Sequence, residues 1–240
     1  MASSLVTEAP PALTQLDFYD LPPTSTLHLY WRARAAARYS RQTQYRLKRV
    51  FDIVVASLLL IILSPLMLIC ALAVRMSSRG PVLFRQQRLM KDGVEFTLFK
   101  FRTMVNGADD MLEKVFSLNE AKGPLFKVRK DPRVTRVGSV LRKSFLDELP
   151  QLINVLRNEM SLVGPRPILA REVQDLPGRV VFRFAVPQGI TGPWQTHGHH
   201  KLTFEEQLNI ERWDIQRWSL RKDMAILLQT FYLVLLRRGA

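Results

Sequence analysis

The sequence predicts an α+β, mostly helical, monotopic membrane protein. Its parts are a Ser-Pro-broken re-entrant helix hairpin, a small β-hairpin and interfacial amphipathic helices. Three observations lead there. Residues 51–74 are apolar apart from Asp52 and hold Ser64-Pro65 just past their midpoint. Residues 82–104 alternate around a Lys91-Asp92-Gly93 turn signal. Further along, apolar residues recur at helical spacing.

The apolar run comes first in the argument. A bilayer crossing needs roughly 20 apolar residues, and this run has 24. Arg32, Arg34, Arg38, Arg41, Arg46, Lys48 and Arg49 precede it; Arg75, Arg79, Arg85, Arg88 and Lys91 follow it. Basic flanks favour the cytoplasm, so a straight crossing would send one cluster to the wrong side. Pro65 lacks an amide proton and clashes with the carbonyl four residues back, and Ser64 can bond backbone groups freed at such a break. A helix–break–helix hairpin that returns to the face it entered satisfies both flanks. A single-pass helix with a tolerated kink satisfies hydropathy alone; the charge symmetry favours the hairpin. Asp52 lies three and four residues from Arg49 and Lys48, on their helical face, and reads as an interfacial cap.

The formal charge of +14 and a pI near 10.5 imply an anionic partner: nucleic acid, lipid headgroups or phosphorylated substrates. No helix-turn-helix, zinc-finger or RNP-like pattern accompanies the charge, so nucleic acid is not an expected partner. A membrane-tethered nucleic-acid-binding protein is the alternative that charge alone would suggest. Cys70 is the sole cysteine, which excludes a disulfide framework within the chain and fits a reducing compartment. The first 25 residues have no basic stretch followed by an apolar core, unlike a signal peptide. The expected organisation is a basic N-terminal arm over 1–45, the membrane hairpin over 46–76, and a cytosolic domain with interfacial C-terminal helices over 77–240. Residues 28–50 fit either a basic helix on lipid, anchored by Leu29, Tyr30 and Trp31, or a solvated linker. A homodimer is the default oligomer.

The soluble elements follow in order. Residues 82–104 form two short strands around the Lys91-Asp92-Gly93 turn. Residues 107–121 are helical by period, with Met111, Leu112, Val115 and Leu118 on one face. Residues 137–160 give one or two short helices broken near Pro150, and the Gly164-Pro165-Arg166-Pro167 stretch cannot be regular helix. Thr203 followed by Glu206 starts an amphipathic helix over 203–217 with a capping box. The apolar stretch 224–236, closed by Arg237 and Arg238, is too short to span. It is expected at headgroup depth or packed on the hairpin.

The chemistry concentrates in residues 144–167. Adjacent Asp147 and Glu148 point about 100° apart on a helix, so both can border one small site. Pro150 places them in a first helical turn, where the dipole and free amides favour ionised carboxylates and phosphate. Plain N-capping is the ordinary explanation of such a pair. The cations around it, Lys100, Arg102, Arg129, Lys130, Arg133, Arg136, Arg142, Lys143 and Arg166, favour a metal–phosphate site instead. Strand alternation would put Lys100 and Arg102 on one face.

The motifs LKRVFD, the Ser-Pro-broken run, GPVLFRQQR, FTLFKFRTM, DPRVTRVGSVLRKSFLDELPQLINVL, MSLVGPRP, PQGITGPWQ and WSLRKDMAIL stand in one fixed order. Over residues 46–236 the chain resembles the bacterial sugar transferases, the monotopic polyprenyl-phosphate phosphoglycosyl transferases. That resemblance implies transfer of a sugar 1-phosphate from a nucleotide diphosphate sugar, usually a UDP-sugar, to a polyprenyl phosphate such as undecaprenyl phosphate. This is a first membrane step of exopolysaccharide assembly. It implies that residues 77–240 are catalytic, at the cytoplasmic face of the bacterial inner membrane. Asp147 would be the nucleophile that becomes an acyl-phosphosugar, and Glu148 would help hold Mg²⁺. Lys100, Arg102 and Arg166 would contact donor phosphates. Glu211, standing where the family commonly has Asp, would join them in binding the substrate. His199 stands at a family arginine within Thr196-His197-Gly198-His199-His200, exchanging a fixed fork of donors for a pH-dependent charge. The histidine cluster has no ligand set at familiar metal spacing. A non-catalytic membrane scaffold is a third reading, and the intact Asp147-Glu148 pair argues against it.

Overall fold

The computed structural model describes residues 42–108, 110–111, 115, 128, 131–175, 180–196 and 202–236. The arm over 1–41, most of the helix expected at 107–121, the histidine cluster and the Arg237-Arg238 end lie outside the described residues.

The described chain is mostly helical with two small sheets, an α+β arrangement. Helix α1 runs Gln42–Ser77 without interruption and contains Pro65. The two separate helices expected on either side of Ser64-Pro65 are therefore one helix. Losing a single amide donor does not end it, and Ser64 Oγ donates 2.8 Å to the Ile61 carbonyl beside the proline. The helix ends against a turn in which Ser77 Oγ caps the Val74 carbonyl.

Both halves of α1 pack on the rest of the protein. Phe51, Val55, Ala56, Leu59 and Leu60 join Phe96, Leu98, Leu152, Val155 and Ile226 in one apolar cluster. Leu66, Met67, Cys70, Ala71 and Val74 join Phe101, Leu141, Leu146 and Leu149 in another. Between them Ile61 and Ile62 are 71% and 67% exposed.

The predicted β-hairpin forms. Strands β1 (Leu83–Leu89) and β2 (Glu95–Phe101) pair antiparallel from Leu83↔Phe101 to Leu89↔Glu95. Asp92 and Gly93 take φ of 64° and 71° in the connecting turn, a conformation that Gly and Asp tolerate best. Buried Asn154 braces the outer edge of β2. Its Oδ1 accepts from Phe99 N at 3.1 Å, and its amide donates to Thr97 O at 2.8 Å and Glu159 Oε2 at 2.6 Å.

Helix α2 (Arg136–Lys143) starts at Thr135, whose Oγ1 accepts from Gly138 N at 2.9 Å. Phe145, at φ 57°, ends it and redirects the chain into a 3₁₀ turn, Leu146–Glu148. Pro150 then caps helix α3 (Gln151–Leu156), giving the short helices expected around that proline. Strands β3 (Ser161–Val163) and β4 (Gly189–Thr191) pair in parallel. Gly164 and Gly189 lie so close that a Cβ on either would strike the other's backbone neighbourhood. Short helices α4 (Ala170–Asp175) and α5 (Pro193–Thr196) lead to α6 (Phe204–Gln216), which carries the Thr203–Glu206 capping box. Helix α7 (Leu220–Leu235) begins upstream of the apolar stretch, with Ser219 as its cap. Its Ile226 packs against α1, while Leu228, Phe231, Tyr232 and Leu235 are exposed.

Asp52 is not an interfacial cap. It is 2% exposed and accepts from Ser161 Oγ at 2.7 Å and Leu162 N at 3.2 Å, with Lys48 at 3.9 Å. Arg49, the other expected partner, donates instead to the Leu156 carbonyl. The carboxylate clamps α1 to β3, because burial makes it seek every available donor.

Candidate active site

Asp147 and Glu148 sit on the 3₁₀ turn between α2 and α3. The residues on either side, Leu146 and Leu149, pack into the cluster formed by the second half of α1. The turn therefore rests on the apolar helix. This differs from the first-turn placement that Pro150 suggested: α3 has six residues, and the pair precedes it. The protonation forecast changes too. Asp147 is 8% exposed, and burial pushes its carboxyl up to about 6, with Glu148 adding to the rise and Lys100 and Arg142 opposing it.

Lys100 Nζ donates to Glu148 Oε1 at 2.5 Å, with about a quarter of each side chain exposed. The strand and turn meet here because β2 ends beside the turn, with Phe101 in the same apolar cluster as Leu146 and Leu149. Arg142, in the last turn of α2, is the cation that sequence reasoning left among the crowd. Its Nε donates 2.8 Å to Thr103 Oγ1, and its charge acts on Asp147. Its place five residues before Asp147, at a helix end, was the available signal.

The structure does not bring Arg102 to the pair. It lies past the end of β2, donates to Ser78 O at 2.7 Å and Ser78 Oγ at 3.0 Å, and its neighbouring charge is Arg75. Strand alternation gave Lys100 and Arg102 a common face, but only Lys100 reaches the turn. Arg166 is exposed between two buried prolines, and its N–H points at Glu211 Oε1 at 3.4 Å. Glu211 is 1% exposed and accepts from Arg183 Nε at 2.5 Å. Burial raises its carboxyl and Arg183 holds it down. It thus stands behind the Arg166 turn, inside the protein. Arg133 is tied to Asp131 by a forked pair, Nη2 to Oδ2 at 2.7 Å and Nε to Oδ1 at 2.9 Å. Ser64 and Pro65 are exposed on α1.

Among the described residues no group of three or more His, Cys, Asp and Glu is gathered for a metal. Two neighbouring carboxylates beside cations do match the donor set of Mg²⁺ sites that use one or two carboxylates plus substrate phosphates.

The bacterial sugar transferase family profile matches residues 43–237. The chain belongs to the bacterial sugar transferase family. Its relatives include the exopolysaccharide production protein ExoY of Rhizobium meliloti, 40% identical over 80% of this chain and 87% of that protein. The undecaprenyl-phosphate galactose phosphotransferase of Salmonella typhimurium is 39% identical over 81% of this chain and 41% of its own length. The UDP-glucose:undecaprenyl-phosphate glucose-1-phosphate transferase of Escherichia coli is 39% identical over 78% of this chain and 39% of its own. The chain thus spans less than half the length of several curated relatives. The matched region takes in nearly all of α1, the β-hairpin, the Asp147–Glu148 turn and the C-terminal helices.

Proposed function

We propose that the protein transfers a sugar 1-phosphate from a nucleotide diphosphate sugar, a UDP-sugar by preference, to polyprenyl phosphate. One observation carries the reading: a buried aspartate with its neighbouring glutamate, flanked by Lys100 and Arg142, on a turn supported by the long apolar helix. Relatives named for undecaprenyl-phosphate transfer support it.

Asp147 Oδ attacks the β-phosphorus of the donor. The bond from that phosphorus to the bridging oxygen breaks, and nucleoside monophosphate leaves with the electron pair. An oxygen of the lipid phosphate then attacks the same phosphorus, displaces the Asp147 carboxylate and gives polyprenyl diphosphate sugar. Carboxylates are competent nucleophiles at phosphorus, and phosphoryl transfer mainly needs positioning and charge neutralisation. Lys100 and Arg142 supply positive charge on either side of Asp147, and Arg166 offers a further guanidinium from a proline-stiffened turn. Glu148 would hold Mg²⁺, which when bound neutralises phosphate charge. Placing Asp147 against apolar side chains shields the acyl phosphate from water.

The site works at the cytoplasmic face of the inner membrane, with α1 entering and leaving by that face. Pro65, which lacks an amide donor in the middle of α1, would let the helix bend within the membrane, and its exposed middle would carry Ile61 and Ile62 into lipid. The exposed apolar stripe of α7 would lie at headgroup depth.

Incubation with labelled donor and no lipid acceptor tests the chemistry. The wild type should retain labelled sugar phosphate, and Asp147→Asn should retain none and release no nucleoside monophosphate. Full turnover by Asp147→Asn would end the nucleophile assignment.

A further inference from the structure

The Lys100–Glu148 pair bears on how the site is loaded. Glu148 Oε1 takes the Lys100 ammonium at 2.5 Å. A carboxylate that holds a divalent cation presents the same oxygens to it. An ammonium and a divalent cation on one carboxylate stand within about 4 Å of each other, where their mutual repulsion takes back roughly half of the attraction that the carboxylate offers the metal.

We propose that Lys100 and the divalent cation exclude each other at Glu148, and that the donor diphosphate resolves the conflict by drawing Lys100 onto its own phosphate oxygens. The idea rests on the reading of Glu148 as the metal-holding residue. Lys100 is suited to the exchange. Its ammonium is a compact charge on a flexible four-carbon stem, and its side chain is 26% exposed, so it has room to turn. Arg142 is not suited, since its Nε is committed to Thr103 Oγ1. β2 fixes where Lys100 starts from, because Asn154 bonds the backbone at Phe99 and Thr97. The diphosphate brings enough negative charge to hold both cations. Metal alone therefore binds weakly, and metal with donor binds well. Lys100 acts as a positioning residue that keeps Glu148 occupied until a phosphate arrives.

The test measures Mn²⁺ binding to the full-length protein in detergent by electron paramagnetic resonance, without nucleotide. Lys100→Met should bind Mn²⁺ roughly threefold to tenfold tighter than wild type, the range expected for removing a partly exposed competing charge. Lys100→Arg keeps the charge and should stay near wild type, which separates charge from packing. Glu148→Gln should lose the site. Adding a non-hydrolysable donor analogue should tighten Mn²⁺ binding in wild type far more than in Lys100→Met. Unchanged or weaker binding by Lys100→Met, with Glu148→Gln still losing the site, would overturn the exclusion and leave Glu148 as a metal residue. Equal binding by wild type and Glu148→Gln would remove both ideas.

Discussion

Lys48 donates to Asp223 Oδ2 at 2.5 Å across 175 residues of sequence, joining the first turns of α1 to the first turn of α7. Lys48 is 3% exposed and Asp223 is 1% exposed. Trp218 Nε1 donates to the same carboxylate at 3.1 Å, and Asp52 waits 3.9 Å from the ammonium. Burial raises the Asp223 carboxyl, and Lys48 opposes that rise. One ammonium thus serves the long apolar helix α1 and the start of α7.

Removing one member of a buried pair leaves the other charge without compensation. Lys48→Met should therefore cost about 3–5 kcal/mol of stability, seen as a large fall in unfolding temperature in detergent. The double change Lys48→Met with Asp223→Leu should recover much of it. If the single variant unfolds like wild type, the pair does not anchor α1.

The pH profile reports on Asp147. Its carboxyl is raised to about 6 by burial, and only the anion attacks phosphorus. The value of kcat/KM should fall about tenfold per unit below pH 6 and level off above pH 7. Lys100 holds this carboxyl down, so Lys100→Met should move the acid limb to higher pH. The stability linkage runs the opposite way. A carboxyl raised in the folded state favours folding most below its ordinary value of 3.8, and that contribution is lost as pH rises through about 6. A flat profile between pH 5 and 8 would place another group in the nucleophile's role.

Membrane topology can be read with thiol reagents. Cys70 is the sole cysteine and is buried, so a Cys70→Ala background is clean. Single cysteines introduced as Thr43→Cys and Arg79→Cys bracket α1. Both should react from the cytoplasmic side of sealed vesicles. Adding Pro65→Leu removes the helix's weak point and should shift one of them to the other side in part of the population. Labelling from opposite sides without that change would mean a straight crossing.

The sequence by itself determined much of this protein. Local signals are encoded within a few residues of where they act. The Lys91-Asp92-Gly93 turn, the Thr203–Glu206 capping box and the apolar run of α1 each formed where their residues stand. The neighbouring Asp147 and Glu148 stand together on one turn for the same reason. Tertiary structure decided what those residues meet. It split Lys100 from Arg102 and sent one to Glu148 and the other to Ser78. It turned Asp52 inward onto Ser161 and gave buried Glu211 to Arg183. Partners 24 to 175 residues apart are chosen by packing of apolar faces, and a buried charge takes whatever donor that packing delivers. No spacing along the chain carries that choice.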